Sequence, residues 1–327
     1  AENLVFVPNA TVGVNAVVRS LDLGPGDELL TIDHAYNACA NALRFAAERS
    51  GARVVVASVP IPVGGPDGIV HAVLGAMTPR TRLVMIDAIT SPTAIVLPFG
   101  ALIREVQSRG VDVLLDAAHA AGMIDLQLDA LEPAYATGNF HKWTCAPKGS
   151  GFLYVRPDRQ GGVRPVAVSH GANSTRADRT RFRLEFDWTG TQDFTPFLCT
   201  PAAIRAVGGM LPGGWPAVRE RNRTMVLAAR RRMIESLGIT PVAPESMIGS
   251  IASFMLPDAD PGAAPVTGND DLHFRLQNEA RVQVPVMPWP SPPHRLIRVS
   301  AHLHNRPSDY ERLIAALRSL LPGLGPR

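Results

Sequence analysis

Gly138-Asn139-Phe140-His141-Lys142-Trp143-Thr144-Cys145-Ala146-Pro147-Lys148-Gly149-Ser150-Gly151 carries both lysines of a 327-residue chain. Of its 32 Lys plus Arg, 30 are therefore arginine. Lysine is normally among the commonest residues. A coding bias toward arginine explains its absence wherever only charge is needed. It does not explain why Lys142 persists between two aromatics, an odd place for a solvated charge. Any chemistry that needs a primary amine has only Lys142 and Lys148 to draw on. A guanidinium is no substitute, because it stays charged in proteins.

Ahead of this stretch lies Val111-Asp112-Val113-Leu114-Leu115-Asp116, an apolar run that ends in a carboxylate. Similar runs occupy residues 4–8, 28–32, 53–58, 82–86 and 151–156. They are rich in Val, Leu and Ile, and several are apolar on both faces, as doubly buried strands are. Residues 12–22, 36–51, 67–77 and 98–110 lie between them and are long enough for helices. Gly24-Pro25-Gly26-Asp27 is a strong turn. The alternation predicts an α/β fold with a mostly parallel sheet covered on both sides. In such sheets ligands bind at the carboxyl ends of the strands. Asp116 stands at such an end, where it could also cap a following helix, and His119 lies three residues on.

The pattern changes after Arg156. Residues 157–183 are Arg-rich and poorly periodic, and read as a loop or partner-facing segment. Pro212-Gly213-Gly214 breaks the chain. Residues 217–238 predict a long amphipathic helix whose Arg230-Arg231-Arg232 reads as a solvated face. From 239 onward the chain reads as a smaller α+β domain, with strands at 249–256 and 296–301 and helices at 270–280 and 308–320. The length fits two domains of roughly 150 residues, placed here at 1–210 and 211–327.

Composition excludes several classes. A net charge of +3 is weak, and no basic run is interleaved with aromatics, so nucleic-acid binding is not expected. No Cys/His spacing suits zinc. Cys39, Cys145 and Cys199 are widely spaced and odd in number, which fits a reducing compartment rather than a disulfide framework. No apolar run reaches the ~18 residues of a membrane helix, and the start of the sequence is not a signal peptide. A cytosolic globular protein is the expectation.

Asp116-Ala117-Ala118-His119, Asn139-Phe140-His141-Lys142-Trp143 and Ala146-Pro147-Lys148-Gly149 together resemble the fold-type I pyridoxal-phosphate enzymes of aminotransferase class V. Within that family the resemblance is greatest to the isopenicillin-N-epimerase-like branch, and it covers nearly the whole chain. It implies a large cofactor-binding domain and a smaller α+β C-terminal domain, preceded in relatives by an N-terminal arm that this sequence lacks. It implies pyridoxal 5'-phosphate as cofactor, a small amino-acid substrate, and a homodimer with the active site at its interface.

The resemblance also implies roles. Lys142 matches the lysine that forms a Schiff base with the cofactor and then moves protons at the substrate α-carbon. Asp116 matches the acid that pairs with the pyridine nitrogen and keeps the ring an electron sink. His119 matches a Gln or His near the ring hydroxyl. Asn9-Ala10-Thr11, before a helix, matches a phosphate-binding turn, where free backbone N–H groups suit an anion. Asn139 and His141 match further phosphate ligands. His34 aligns with the aromatic that stacks on the ring, with Tyr36 as its rival. Ser91 aligns with a ring-hydroxyl partner. Thr191, in Gly190-Thr191-Gln192-Asp193, matches a threonine that reaches the neighbouring subunit's phosphate. Arg298 matches the clamp on the substrate carboxylate, for which a planar guanidinium is suited.

Two departures stand out. The phosphate turn reads Thr11-Val12-Gly13 where relatives often have Thr-Glu-Gly. Residues 284–295, where cysteine desulfurases of the family carry a nucleophilic cysteine, contain none, and Cys145 reads as packing, so desulfurase activity is discounted. Epimerisation or racemisation and C–S β-elimination are the leading expectations. Transamination, a decarboxylating deamination and a non-catalytic cofactor-binding protein are the alternatives.

Overall fold

The computed structural model describes residues 2–260 and 269–325. These group into two compact units. One holds the described residues of Ala1–Val59, Asp67–Ile89 and Leu97–Met210. The other holds those of Pro60–Pro66, Thr90–Val96 and Leu211–Arg327.

The first unit contains β1 (Leu4–Val7), α1 (Ala10–Val18), β2 (Glu28–Ile32), α2 (Asn37–Ser50), β3 (Arg53–Ala57), most of α3 (Pro66–Ala76), β4 (Thr81–Asp87), α4 (Phe99–Gln107), β5 (Asp112–Ala117), α5 (Leu128–Leu131), β6 (Tyr135–Asn139), β7 (Gly151–Val155), α6 (Arg181–Asp187) and α7 (Thr195–Gly208). Its seven strands run in the order β1-β7-β6-β5-β4-β2-β3. The five from β6 to β3 are mutually parallel, while β7 runs antiparallel to both β6 and β1. β2, β6 and β7 are buried along their whole length, as strands covered on both faces must be. The core beneath them joins Val14 and Val17 of α1, Leu43 of α2 and Leu29, Leu83, Leu114 and Leu153 of the sheet.

The predicted strands and helices of the first half fall where the apolar runs placed them, within a few residues. β6 is a strand the periodicity did not reveal. Tyr-Ala-Thr-Gly-Asn lacks an apolar run, yet all five residues are buried between β5 and β7. The Thr137 hydroxyl can enter that core because it donates to the Phe152 carbonyl at 2.8 Å. The helix α7 was also missed, its pattern interrupted by Pro201. Residues 157–183 are less irregular than expected, with 3-10 turns at Pro157–Gly162 and His170–Asn173 leading into α6.

α1 lies close against β6, and Gly13 permits the approach. A Cβ at Gly13 would sit 2.0 Å from Thr137 Oγ1 and 2.7 Å from its Cβ. Gly13→Ala is therefore expected to cost about 1–3 kcal/mol by overpacking, read as a lower urea midpoint with an unchanged slope.

The second unit contains α8 (Gly214–Leu237), β8 (Thr240–Pro241), β9 (Ile251–Leu256), α9 (Asp271–Ala280), β10 (Val286–Pro288), β11 (Arg295–Ser300) and α10 (Pro307–Leu320). Its sheet is antiparallel in the order β10-β11-β9-β8. Two short segments from the first half of the sequence belong to it. Val63 N–H donates to the Val242 carbonyl at 2.8 Å, and Val96 N–H to the Met247 carbonyl at 2.9 Å. The Arg230–Arg232 cluster is not uniformly solvated. Arg230 is buried, donating to the Ala243 carbonyl at 3.0 Å and to Glu245 at 3.2 Å, while Arg231 and Arg232 are exposed. Among the described residues no helix is long and apolar enough to cross a membrane, and no cluster of His, Cys, Asp or Glu is arranged to hold a metal.

Candidate active site

The carboxyl ends of the central strands of the first unit gather a buried acid pair and a lysine. β4 and β5 are in register so that Asp87 stands beside Asp116, and both are buried. Asp116 Oδ1 accepts from the Ala118 N–H at 2.9 Å, and its Oδ2 from the Cys39 thiol at 3.2 Å. Asp87 accepts from the backbone of Tyr36, while its Oδ2 has no hydrogen-bond partner. Burial pushes both carboxyls above the ordinary range. The charge of Asp116 raises Asp87 further, the Ala118 and Cys39 donors draw Asp116 back down, and Lys142 lowers both. Burial likewise pushes the Cys39 thiol far up, so it is a donor and not a thiolate.

Lys142 follows β6 in the turn leading to β7. Its Nζ lies 3.1 Å from His119 Nε2, and the Trp143 indole N–H donates to His119 Nδ1 at 3.3 Å. His119 and Trp143 are buried and Lys142 is half-buried. His141 is half-buried, and its Nδ1 is enclosed without a partner. Burial, more than its Ser150 contact opposes, lowers its affinity for a proton.

At the start of α1, Asn9 caps the helix by accepting from the Val12 N–H at 2.9 Å, and Asn139 Oδ1 accepts from the Ala10 N–H at 2.9 Å. The expectation of open N–H groups in this turn is thus corrected in part, since side chains already hold two of them. The Thr11 hydroxyl contacts Cys39. Asn9, Ala10, Thr11, Asn139, His141, Lys142, Asp116 and His119 all belong to the first unit, and bonds link Ala10 to Asn139 and His119 to Lys142.

His34 is corrected outright. Its ring is 0% exposed and its Nε2 lies 2.6 Å from the Val59 carbonyl, so neither ring face is open for stacking. Tyr36 is 45% exposed, precedes α2, and shares the backbone bond to Asp87. Cys145 is also corrected. It is exposed rather than packed, at φ 55°. Thr191 is exposed in the first unit, beside a groove with Phe6, Val12 and Phe197. Ser91 and Arg298 meet in the second unit. The Arg298 guanidinium donates to the Ser91 carbonyl and, at 3.2 Å, to its hydroxyl.

Asp87, Cys39 and Trp143 were not singled out by sequence reasoning. Asp87 was within reach of the rule that found Asp116, a carboxylate ending an apolar run, but the predicted strand stopped one residue short of it. The acid pair makes a pH prediction. Native carboxyls raised above their unfolded values bind more protons than the unfolded chain, so stability falls as pH rises from the ordinary carboxylate range through the raised values. Asp87→Asn removes one such acid. The cofactor-free variant should lose less thermal stability than the parent between acid and neutral pH, and parallel Tm profiles would refute this.

A doubly wound sheet with an acid and a lysine at its carboxyl edge is the architecture of fold-type I pyridoxal-phosphate enzymes, and comparison with known proteins agrees. The sequence profile of the aminotransferase class-V family matches residues 1–261. An isopenicillin N epimerase of Amycolatopsis lactamdurans is 36% identical over 98% of this chain and 81% of its own. The "Probable L-cysteine desulfhydrase, chloroplastic" of Arabidopsis thaliana is 28% identical over 98% of this chain and 70% of its own. A solved complex of the cystine C–S lyase C-DES with its product cysteine persulfide superposes with a TM-score of 0.78. It is 21% identical and covers 99% of this chain and 82% of that one. The chain belongs to the class V aminotransferase family.

Proposed function

We propose that this chain is a pyridoxal-phosphate-dependent enzyme that moves a proton at the α-carbon of an amino acid, with epimerisation and C–S β-elimination as its two outcomes. The observation that carries this reading is Lys142 Nζ at 3.1 Å from His119, in the unit that holds the buried acid pair. The residues fit the cofactor. The unpartnered Nδ1 of His141 and the capped start of α1 suit a phosphate, and a buried carboxylate at a strand end suits a ring N–H. When bound, the cofactor supplies an electron sink for the α-carbon.

The chain's own residues then divide the work. Lys142 provides the amine that holds the cofactor and carries the proton to or from Cα. Asp116, as a carboxylate, would pair with the ring nitrogen. His119, beside Lys142, would serve the ring hydroxyl. Asn9, Ala10, Thr11, Asn139 and His141 would hold the phosphate, and Tyr36, in place of His34, would cover the ring. Arg298, steadied by Ser91, takes the substrate carboxylate. Epimerisation is put first because the epimerase relative is the more similar of the two.

A cytoplasmic homodimer is the proposed form, with Thr191 reaching the partner's phosphate. Phe6, Val166, Val168, Trp188 and Leu198 are exposed in the first unit, more apolar surface than water favours. Sedimentation of the holoenzyme as a monomer would overturn the dimer.

The reaction test is a panel of L-amino acids and cysteine S-conjugates in deuterated water. Epimerisation gives deuterium at Cα with inverted configuration. Elimination gives a keto acid and a released thiol. Amino-group transfer to an added keto acid, with neither of these, would overturn the proposal.

A further inference from the structure

We propose that Trp143 is a positioning residue that sets the tautomer of His119 and, through it, keeps the Lys142 amine in its unprotonated, nucleophilic form. The inference rests on the reading of Lys142 as the reacting amine. Its ground is a relay of two contacts. The Trp143 indole Nε1 lies 3.3 Å from His119 Nδ1, and His119 Nε2 lies 3.1 Å from Lys142 Nζ.

An indole N–H can donate and cannot accept. His119 Nδ1 must therefore accept, and carries no proton. A neutral imidazole then bears its single proton on Nε2, the nitrogen that faces Lys142. That N–H has a partner in Lys142 Nζ only if the amine offers a lone pair. An ammonium there would set donor against donor. Protonating the ring fully would set a second N–H against the indole, so Trp143 opposes that state too. The burial of Trp143 and His119 makes an unmade hydrogen bond costly and the arrangement selective.

Other groups act on Lys142 from the elements around it. Asp116 on β5 attracts its cationic form, and so does Asp87 at the end of β4 whenever it is ionised. His141, its neighbour in the same turn, is near enough for mutual repulsion of the charged states. The relay opposes the two acids. Trp143→Phe leaves the acids and a six-membered aromatic ring in place and removes the N–H together with the pyrrole part of the indole, so the tautomer spectrum is what assigns the effect to the N–H. Without the indole donor, Nδ1 is free to take the proton, and Nε2 can accept from an ammonium.

The lysine count makes the test clean, because Lys142 and the exposed Lys148 are the only side-chain amines in the chain. Trace labelling of the cofactor-free, 327-residue chain with acetic anhydride, read by mass spectrometry, gives Lys142 reactivity with Lys148 as internal reference. The Lys142-to-Lys148 ratio at neutral pH is expected to fall about tenfold in Trp143→Phe, the worth of one buried hydrogen bond. In parallel, ¹⁵N spectra of ring-labelled histidine should show His119 of the parent protonated at Nε2 and bare at Nδ1, and a shift toward Nδ1–H in the variant. A parent spectrum with Nδ1–H or a cationic ring overturns the proposal even if Trp143→Phe fails to fold. An unchanged labelling ratio in a folded variant also overturns it. Borohydride trapping of cofactor on Lys142 in the parent holoenzyme is scored separately. Its failure would sink the role of Lys142 while leaving the tautomer measurement to stand or fall alone.

Discussion

Lys142→Ala is expected to abolish turnover and to leave no cofactor covalently attached after borohydride treatment. The loss has two parts. One is the covalent anchor, which no other residue nearby can replace, because the chain's only other lysine is Lys148, exposed six positions away. The other is proton transfer at Cα, worth on the order of 10²–10⁴-fold by itself. Lys142→Arg should fare no better, since a guanidinium keeps its charge and makes no such bond. The decisive measurement is the mass of the peptide containing Lys142 after reduction, with and without the substitution. A reduced cofactor adduct on Lys148, or full activity in Lys142→Ala, would refute the assignment.

Asp116→Asn should lose roughly 10²–10³-fold in kcat, the usual scale for removing one preorganised charge at a reacting system, whereas Asp87→Asn should stay within about tenfold. The argument is the unequal supply of donors to two side-by-side acids. Like charges this close do not both ionise easily. Asp116 accepts from the Ala118 N–H and the Cys39 thiol, both of which stabilise a carboxylate. Asp87 has the Tyr36 backbone and an unpartnered Oδ2. Asp116 therefore holds the charge and Asp87 the proton. An amide keeps the shape of a protonated acid, so Asp87 tolerates it and Asp116 does not. The reverse order of losses, measured as kcat on one substrate, would show that the charge sits on Asp87. Cys39→Ala, which removes a donor to Asp116, should move kcat in the same direction as Asp116→Asn but by less.

Much of this was legible in the residues. Apolar runs ending in turns placed β2, β3, β4, β5 and β7, because strands buried on both faces have no polar side to disguise them. Lys142 and Asp116 were legible for a different reason. An amine among 30 arginines, and a carboxylate closing an apolar strand, each break the local pattern. β6 was not legible, because burial of Thr137, Gly138 and Asn139 depends on partners 12 or more residues away in sequence. Nor was the closed environment of His34, since the Val59 carbonyl that holds it is reached only after β3 pairs with β2.

The sequence by itself determined the class of fold and the family, and limited the side-chain amines to Lys142 and Lys148. Those follow from local pattern and from chemistry that only one residue type performs. Tertiary structure alone decided which groups meet. It put Asp87 beside Asp116, enclosed the His34 ring while leaving Tyr36 exposed, and aimed the Trp143 N–H at His119. Strand register and side-chain burial are set by long-range packing, and no single segment contains both partners of a contact made across the sheet.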